Sequence, residues 1–72
     1  MPTVASLKTG EKGTISDFGD PLPIKLLEMG FLPGNEVEVL QIAPLKDPIY
    51  VNVNGSHIAI RREMAQQIQL ES

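Results

Sequence analysis

Glycine and proline interrupt this chain at short intervals: Gly10, Gly13, Gly19, Pro21, Pro23, Gly30, Pro33, Gly34, Pro44, Pro48 and Gly55. Glycine favours tight turns and proline cannot continue a helix or donate to a central strand, so the intervals admit short strands and at most short helices. With 72 residues there is room for one domain spanning 1–72 and one small core. Such a domain buries about 60–65% of the surface its unfolded chain exposes.

The clearest element is IYVNVNGSHIAI, residues 49–60. Ile49, Val51 and Val53 alternate with Tyr50, Asn52 and Asn54, the period of a strand. Asn54-Gly55 is the dipeptide that tolerates positive φ at both centres of a type I′ hairpin turn. A two-residue loop there sets Val53 opposite Ser56, Val51 opposite Ile58 and Ile49 opposite Ile60. Directly opposed residues share a face, so these form one apolar patch, with Asn52/His57 and Tyr50/Ala59 on the other face.

Residues 35–43, NEVEVLQIA, give a second strand with Val37 and Val39 on one face and Glu36 and Glu38 on the other. The pattern then slips at Leu40 and Ile42, which predicts a bulge or a crossing between faces. A strand over 10–18 centres on Ile15, and QIQL (67–70) closes the sheet through Ile68 and Leu70. Between them, Asp20 is placed to cap a helix with Pro21 in its first turn, carrying Leu22, Leu26 and Met29 as a stripe. Gly30 ends that helix in a left-handed conformation, Phe31 packs back on Leu26, and Leu32 enters the core. Pro33-Gly34 then makes a type II turn. REMAQQ (62–67) is a second helical piece. Five short strands with two short helical inserts predict a small closed β-barrel, since closure removes exposed edges.

In order and spacing, L-x-x-G-E-x-G (Leu7 to Gly13), L-L-E-M-G-F-L-P-G (Leu26 to Gly34), D-P-I (Asp47 to Ile49) and I-A-I-R-R-E-x-A (Ile58 to Ala65) resemble the ferrous iron transport protein A family, FeoA. The likeness runs from about Leu7 to Leu70. It implies an SH3-like β-barrel, cytoplasmic, working beside a membrane ferrous-iron permease with a GTP-binding domain (FeoB-like). Similar domains also end metal-dependent transcriptional regulators, behind a winged-helix domain. With six residues ahead of Leu7, the expectation is the stand-alone transport accessory. Two positions depart from the pattern: Lys25 stands where the family often has arginine, and Lys46 where a glycine commonly precedes Asp-Pro. Lysine keeps the charge but loses the bidentate fork of a guanidinium.

Function classes narrow further on composition. The formal net charge is −3, against the clustered positive charge that nucleic-acid binding requires. No cysteine is present, so disulfides and thiolate metal sites are excluded. No apolar stretch approaches the roughly 20 residues of a membrane helix, and the N-terminal residues show no signal-peptide pattern. One histidine and no paired carboxylates give no catalytic constellation, so no enzyme and no cofactor are expected. His57 reads as an exposed turn residue. An Asx turn and a helix cap explain Asp17 and Asp20 at less cost than a cation site.

Three sets of residues are candidates for contact with a partner. Leu22 and Met29 belong to a short helix with more apolar side chains than one inward stripe uses, and a partner-facing role stands level with core packing for both. Lys25 lies among them. Arg61 and Arg62 either contact an anion, as an arginine finger does, or pair with Glu28, Glu36, Glu38 or Glu63. The favoured function is an interaction module for the iron permease, without chemistry of its own. The alternatives are a stand-alone relative of the C-terminal domain of metal-dependent transcriptional regulators, or an SH3-like adaptor unconnected with iron, although Phe18, Phe31 and Tyr50 are few aromatics for a polyproline groove.

Overall fold

The computed structural model describes residues 2–19 and 22–71. It contains a 3-10 turn at Val4–Ser6, strands β1 (Lys12–Phe18), β2 (Glu36–Ile42), β3 (Ile49–Val53), β4 (Ser56–Ile60) and β5 (Ile68–Leu70), and helices α1 (Ile24–Glu28) and α2 (Arg62–Ala65). The β3–β4 hairpin has the register its turn dictates: Val53 opposite Ser56, Val51 opposite Ile58, Ile49 opposite Ile60. Asn54 and Gly55 both have positive φ, 51° and 83°, as a type I′ turn requires. Ile49, Val51, Val53 and Ile60 are buried together with Val37 and Val39 of β2. The slip in β2 falls between Val39 and Gln41, which leaves Leu40 as the extra, 37% exposed residue.

The sheet is antiparallel in the order β4-β3-β2-β1-β5 and is not closed. This corrects the closed, SH3-like barrel expected from the sequence. β1 bends so that Lys12–Thr14 pair with β2, while Ile15–Phe18 pair with β5 past an irregularity at Ser16. β4 and β5 are therefore its two edges. The free side of β5 is covered by the N-terminal segment instead of by β4: Leu70 N–H donates to the Pro2 carbonyl at 2.8 Å, and Thr3 bridges to Gln69. Closure is thus not the only answer to an exposed edge; a short covering segment serves one side.

The end of α1 follows the sequence closely. Phe31 N–H donates to the Leu26 carbonyl (3.2 Å) and Gly30 N–H to the Leu27 carbonyl (3.1 Å), the paired bonds of a Schellman ending. Gly30 has φ 111°. Phe31 is fully buried, a transfer worth about 1.5–3 kcal/mol. Leu32 does not enter the core and is 46% exposed. It is the first residue of the Pro33-Gly34 turn, closed by Asn35 N–H to the Leu32 carbonyl at 3.1 Å. That turn, with Phe31 already facing inward, leaves Leu32 facing solvent.

At the other end α1 is shorter than its apolar stripe suggested. The proposed cap at Asp20-Pro21 lies outside the described residues, and Pro23 occupies the N-cap position with no side-chain hydrogen bond. Leu22 therefore precedes the helix and is not held in phase with Leu26. It is 7% exposed and belongs to the core, whereas Ile24 is 72% exposed.

Two substitutions test these backbone assignments. A Cβ on Gly30 meets a left-handed φ and approaches Asn54 Cβ at 2.7 Å. Gly30→Ala is expected to lower stability by at least about 1–2 kcal/mol, read as a lower urea midpoint; an unchanged midpoint contradicts the helix ending. Lys46 has φ 67°, the conformation that explains a glycine ahead of Asp-Pro. Lys46→Gly relieves about 1–2 kcal/mol of left-handed strain against about 0.5–1 kcal/mol of added unfolded-state entropy, so the midpoint should rise slightly. A clear fall would contradict it.

Candidate interaction surface

The β2–β3 connection carries Asp47, whose carboxylate organises the start of α2. Its Oδ1 accepts the Arg62 backbone N–H at 2.9 Å, and its Oδ2 lies 3.3 Å from Arg61 Nε. The side chain thus caps a helix fifteen residues further on, a role usually taken by a neighbouring Ser, Thr, Asp or Asn. This binds the D-P-I stretch to the R-R-E stretch. The expected partners of the arginines, Glu28, Glu36, Glu38 and Glu63, are not the ones used. Local charge patterning had no means of reporting a cap supplied from another loop.

The two arginines then separate in role. Arg62 is half-buried, and its guanidinium reaches the Ala5 carbonyl, in the middle of the 3-10 turn, at 3.5 Å. It ties α2 to the N-terminal segment. Arg61 keeps a side chain 76% exposed. Its surface ion pair contributes little to stability, about 0–1 kcal/mol, and leaves most of its donors to solvent.

Arg61 and the exposed Lys25 line one depression together with Pro23, Leu26, Ile60 and Met64. α1 supplies Lys25 and Leu26, the end of β4 supplies Ile60, and α2 supplies Met64. Leu26 and Met64 are half-buried and pack on the core, so the floor is apolar and supported from beneath. Met29 is half-buried one turn beyond Lys25 on the same helix face. Of the residues singled out from sequence, Lys25, Met29 and Arg61 are on this side of the molecule. Leu22 is in the core and Arg62 is engaged internally. Leu26, Ile60 and Met64 were missed as site residues, because a buried or half-buried apolar side chain reads from sequence as ordinary core.

A second depression lies on the outer face of the sheet beside β4, among Leu40, Tyr50, His57 and Ala59. Leu40 and Tyr50 are 37% and 40% exposed. A third is polar, lined by Asn35, Glu36, Glu38, Asn52 and Asn54. Among the described residues, no three His, Cys, Asp or Glu side chains come together as metal ligands. His57 is exposed opposite Asn52. The arrangement offers an apolar floor with two free-ended cations, chemistry suited to holding a polypeptide.

Comparison with known proteins agrees with this architecture. The FeoA domain model matches residues 3–72. Over 47 residues the chain is 43% identical to an Fe(2+) transport protein A/Fe(2+) transporter FeoB fusion protein of Porphyromonas gingivalis. That match covers 65% of this chain and 6% of the fusion protein, so the chain spans a small fraction of that relative. The FeoA protein of Chlorobium tepidum superposes with a TM-score of 0.89 at 30% identity, covering 97% of this chain and 69% of the other. Iron(II) transport protein A of Clostridium thermocellum superposes at 0.87 with 33% identity, covering 97% of this chain and 44% of the other. The family match over nearly the whole length, together with these superpositions, decides the matter: the chain belongs to the FeoA family.

Proposed function

We propose that the protein is a cytoplasmic accessory of ferrous-iron uptake, docking on the cytosolic part of a GTP-dependent, FeoB-like iron permease without chemistry of its own. The observation that carries this reading is the depression among Lys25, Leu26, Ile60, Arg61 and Met64, an apolar floor bordered by cations on an otherwise acidic chain. Support also comes from the Porphyromonas gingivalis relative, in which Fe(2+) transport protein A and the transporter are one polypeptide. Covalent fusion holds two parts at high effective concentration without any strong contact between them.

That contact is small and transient. Weak interfaces bury less than about 1,200 Å² in total, or roughly 600 Å² on each side. This chain has 4445 Å² of accessible surface, so one face around α1 and the end of β4 is enough. Within it the energy concentrates in Met29, Lys25 and Arg61, where apolar contact and charge meet. Among the described residues no helix is long and apolar enough to cross a membrane.

The test is complementation of a deletion strain under iron limitation, with folding checked by NMR. Lys25→Glu/Met29→Glu is the informative variant, because both side chains can change without opening the core. Leu22→Glu is not informative, since a charge at that buried site unfolds the protein. The folded double variant is expected to lose rescue of iron-limited growth. Full rescue would move the working surface elsewhere. Turnover of GTP by the isolated protein would overturn the accessory reading itself.

A further inference from the structure

We propose that the outer edge of β4 receives an extended, acidic segment of the partner as an added β-strand. For the partner's identity this rests on the accessory reading above; what it adds is the mode and chemistry of recognition. The hairpin register carries the argument. With a two-residue turn, Val53/Ser56, Val51/Ile58 and Ile49/Ile60 exchange hydrogen bonds, so the backbone groups of His57 and Ala59 point away from β3. β4 has no strand on that side. Among the described residues, no hydrogen bond outside the sheet ladder reaches His57 or Ala59.

The two edges of the sheet differ in how they are treated. β5 is covered by Pro2 and Thr3. β4, SHIAI, carries no proline, no lysine and no bulge, the devices that commonly blunt an open edge. The edge also runs between two depressions. One, among Leu26, Ile60 and Met64, lies toward the helices, and the other, among Leu40, Tyr50 and Ala59, lies on the outer face. Side chains of an added strand alternate between faces, so successive apolar residues enter one depression and then the other. Main-chain bonds to His57 and Ala59 supply affinity, and the depressions supply selection.

Charge decides the occupant. Lys25 and Arg61 border the first depression, and a carboxylate on the incoming segment meets both. A second copy of β4 brings Ser56–Ile60, which contains no carboxylate, on a chain of the same −3 net charge. The segment is therefore a continuous apolar stretch with Asp or Glu at its end, from a different protein.

The experiment is amide hydrogen exchange by NMR on the full chain, alone and with the cytosolic domain of the permease. Alongside it, affinity for that domain is measured for wild type and Ala59→Pro. Proline at Ala59 removes an outward N–H and no bond of the β3–β4 ladder, which edge strands tolerate. Expected are fast exchange at His57 and Ala59 in the free protein, protection on binding, and at least a tenfold loss of affinity in Ala59→Pro. The exchange measurement needs no variant, so it stands if that variant misfolds. Binding with His57 and Ala59 unprotected overturns strand addition and leaves the accessory reading intact. Concentration-dependent protection without the permease domain makes the occupant a second copy and also overturns it. Absence of binding removes the accessory reading. An acetylated hexapeptide of four valines followed by two glutamates then decides the edge: it must protect the His57 and Ala59 amides more than its counterpart ending in two lysines does, or the proposal falls.

Discussion

The rest of this structure depends on how α1 is ended. Phe31 fills the core only because Gly30 reverses the chain in a left-handed conformation, and that reversal is held from two sides. The Asn35 side chain donates to the Gly30 carbonyl at 2.8 Å, and Asn54 of the hairpin turn packs where a Cβ on Gly30 would stand. One residue therefore connects the helix, the start of β2 and the tip of the β3–β4 hairpin. Ligation of three elements through a glycine fixes the position of α1 relative to β4, and with it the depression between them. A helix of five residues has no stability alone and takes its shape from these contacts.

The opposite end of the same surface is held by Asp47. Its two oxygens bond the α2 backbone and Arg61, so one side chain links the β2–β3 connection, α2 and the end of β4. Arg61 is consequently held at its Nε while most of its guanidinium stays free. This is a useful state for a weak interface, because a partly restrained side chain loses less entropy on binding. Between Gly30 and Asp47, both ends of the α1–β4 face are tied by hydrogen bonds and close packing, and its apolar floor, Leu26 and Met64, packs on the core beneath.

What the sequence made legible follows physical locality. The β3–β4 register was readable because turn chemistry and hydrophobic alternation act within twelve residues and agree. The Schellman ending and the β2 irregularity were readable for the same reason. Leu32 was assigned opposite to its burial and Leu22 was left undecided between core and surface, because each lies at a boundary where one residue of helix length or one turn flips a side chain. Sheet closure was misjudged because nothing in a strand count shows that Pro2 and Thr3 cover β5. Lys25 and Arg61 were legible as surface charges. The Asp47 cap was not, since it joins residues fifteen apart in sequence through a side chain.

The central claim is that the face between α1 and β4 is where this domain meets its partner. An amide chemical-shift map of the labelled protein, titrated with the cytosolic domain of the permease, tests it most directly. The account predicts that the perturbed residues cluster on Lys25–Met29, His57–Arg61 and Met64, while Glu36, Glu38 and Asn52 stay unchanged. Perturbation confined to Glu36, Glu38 and Asn52, with α1 and β4 silent, would contradict it.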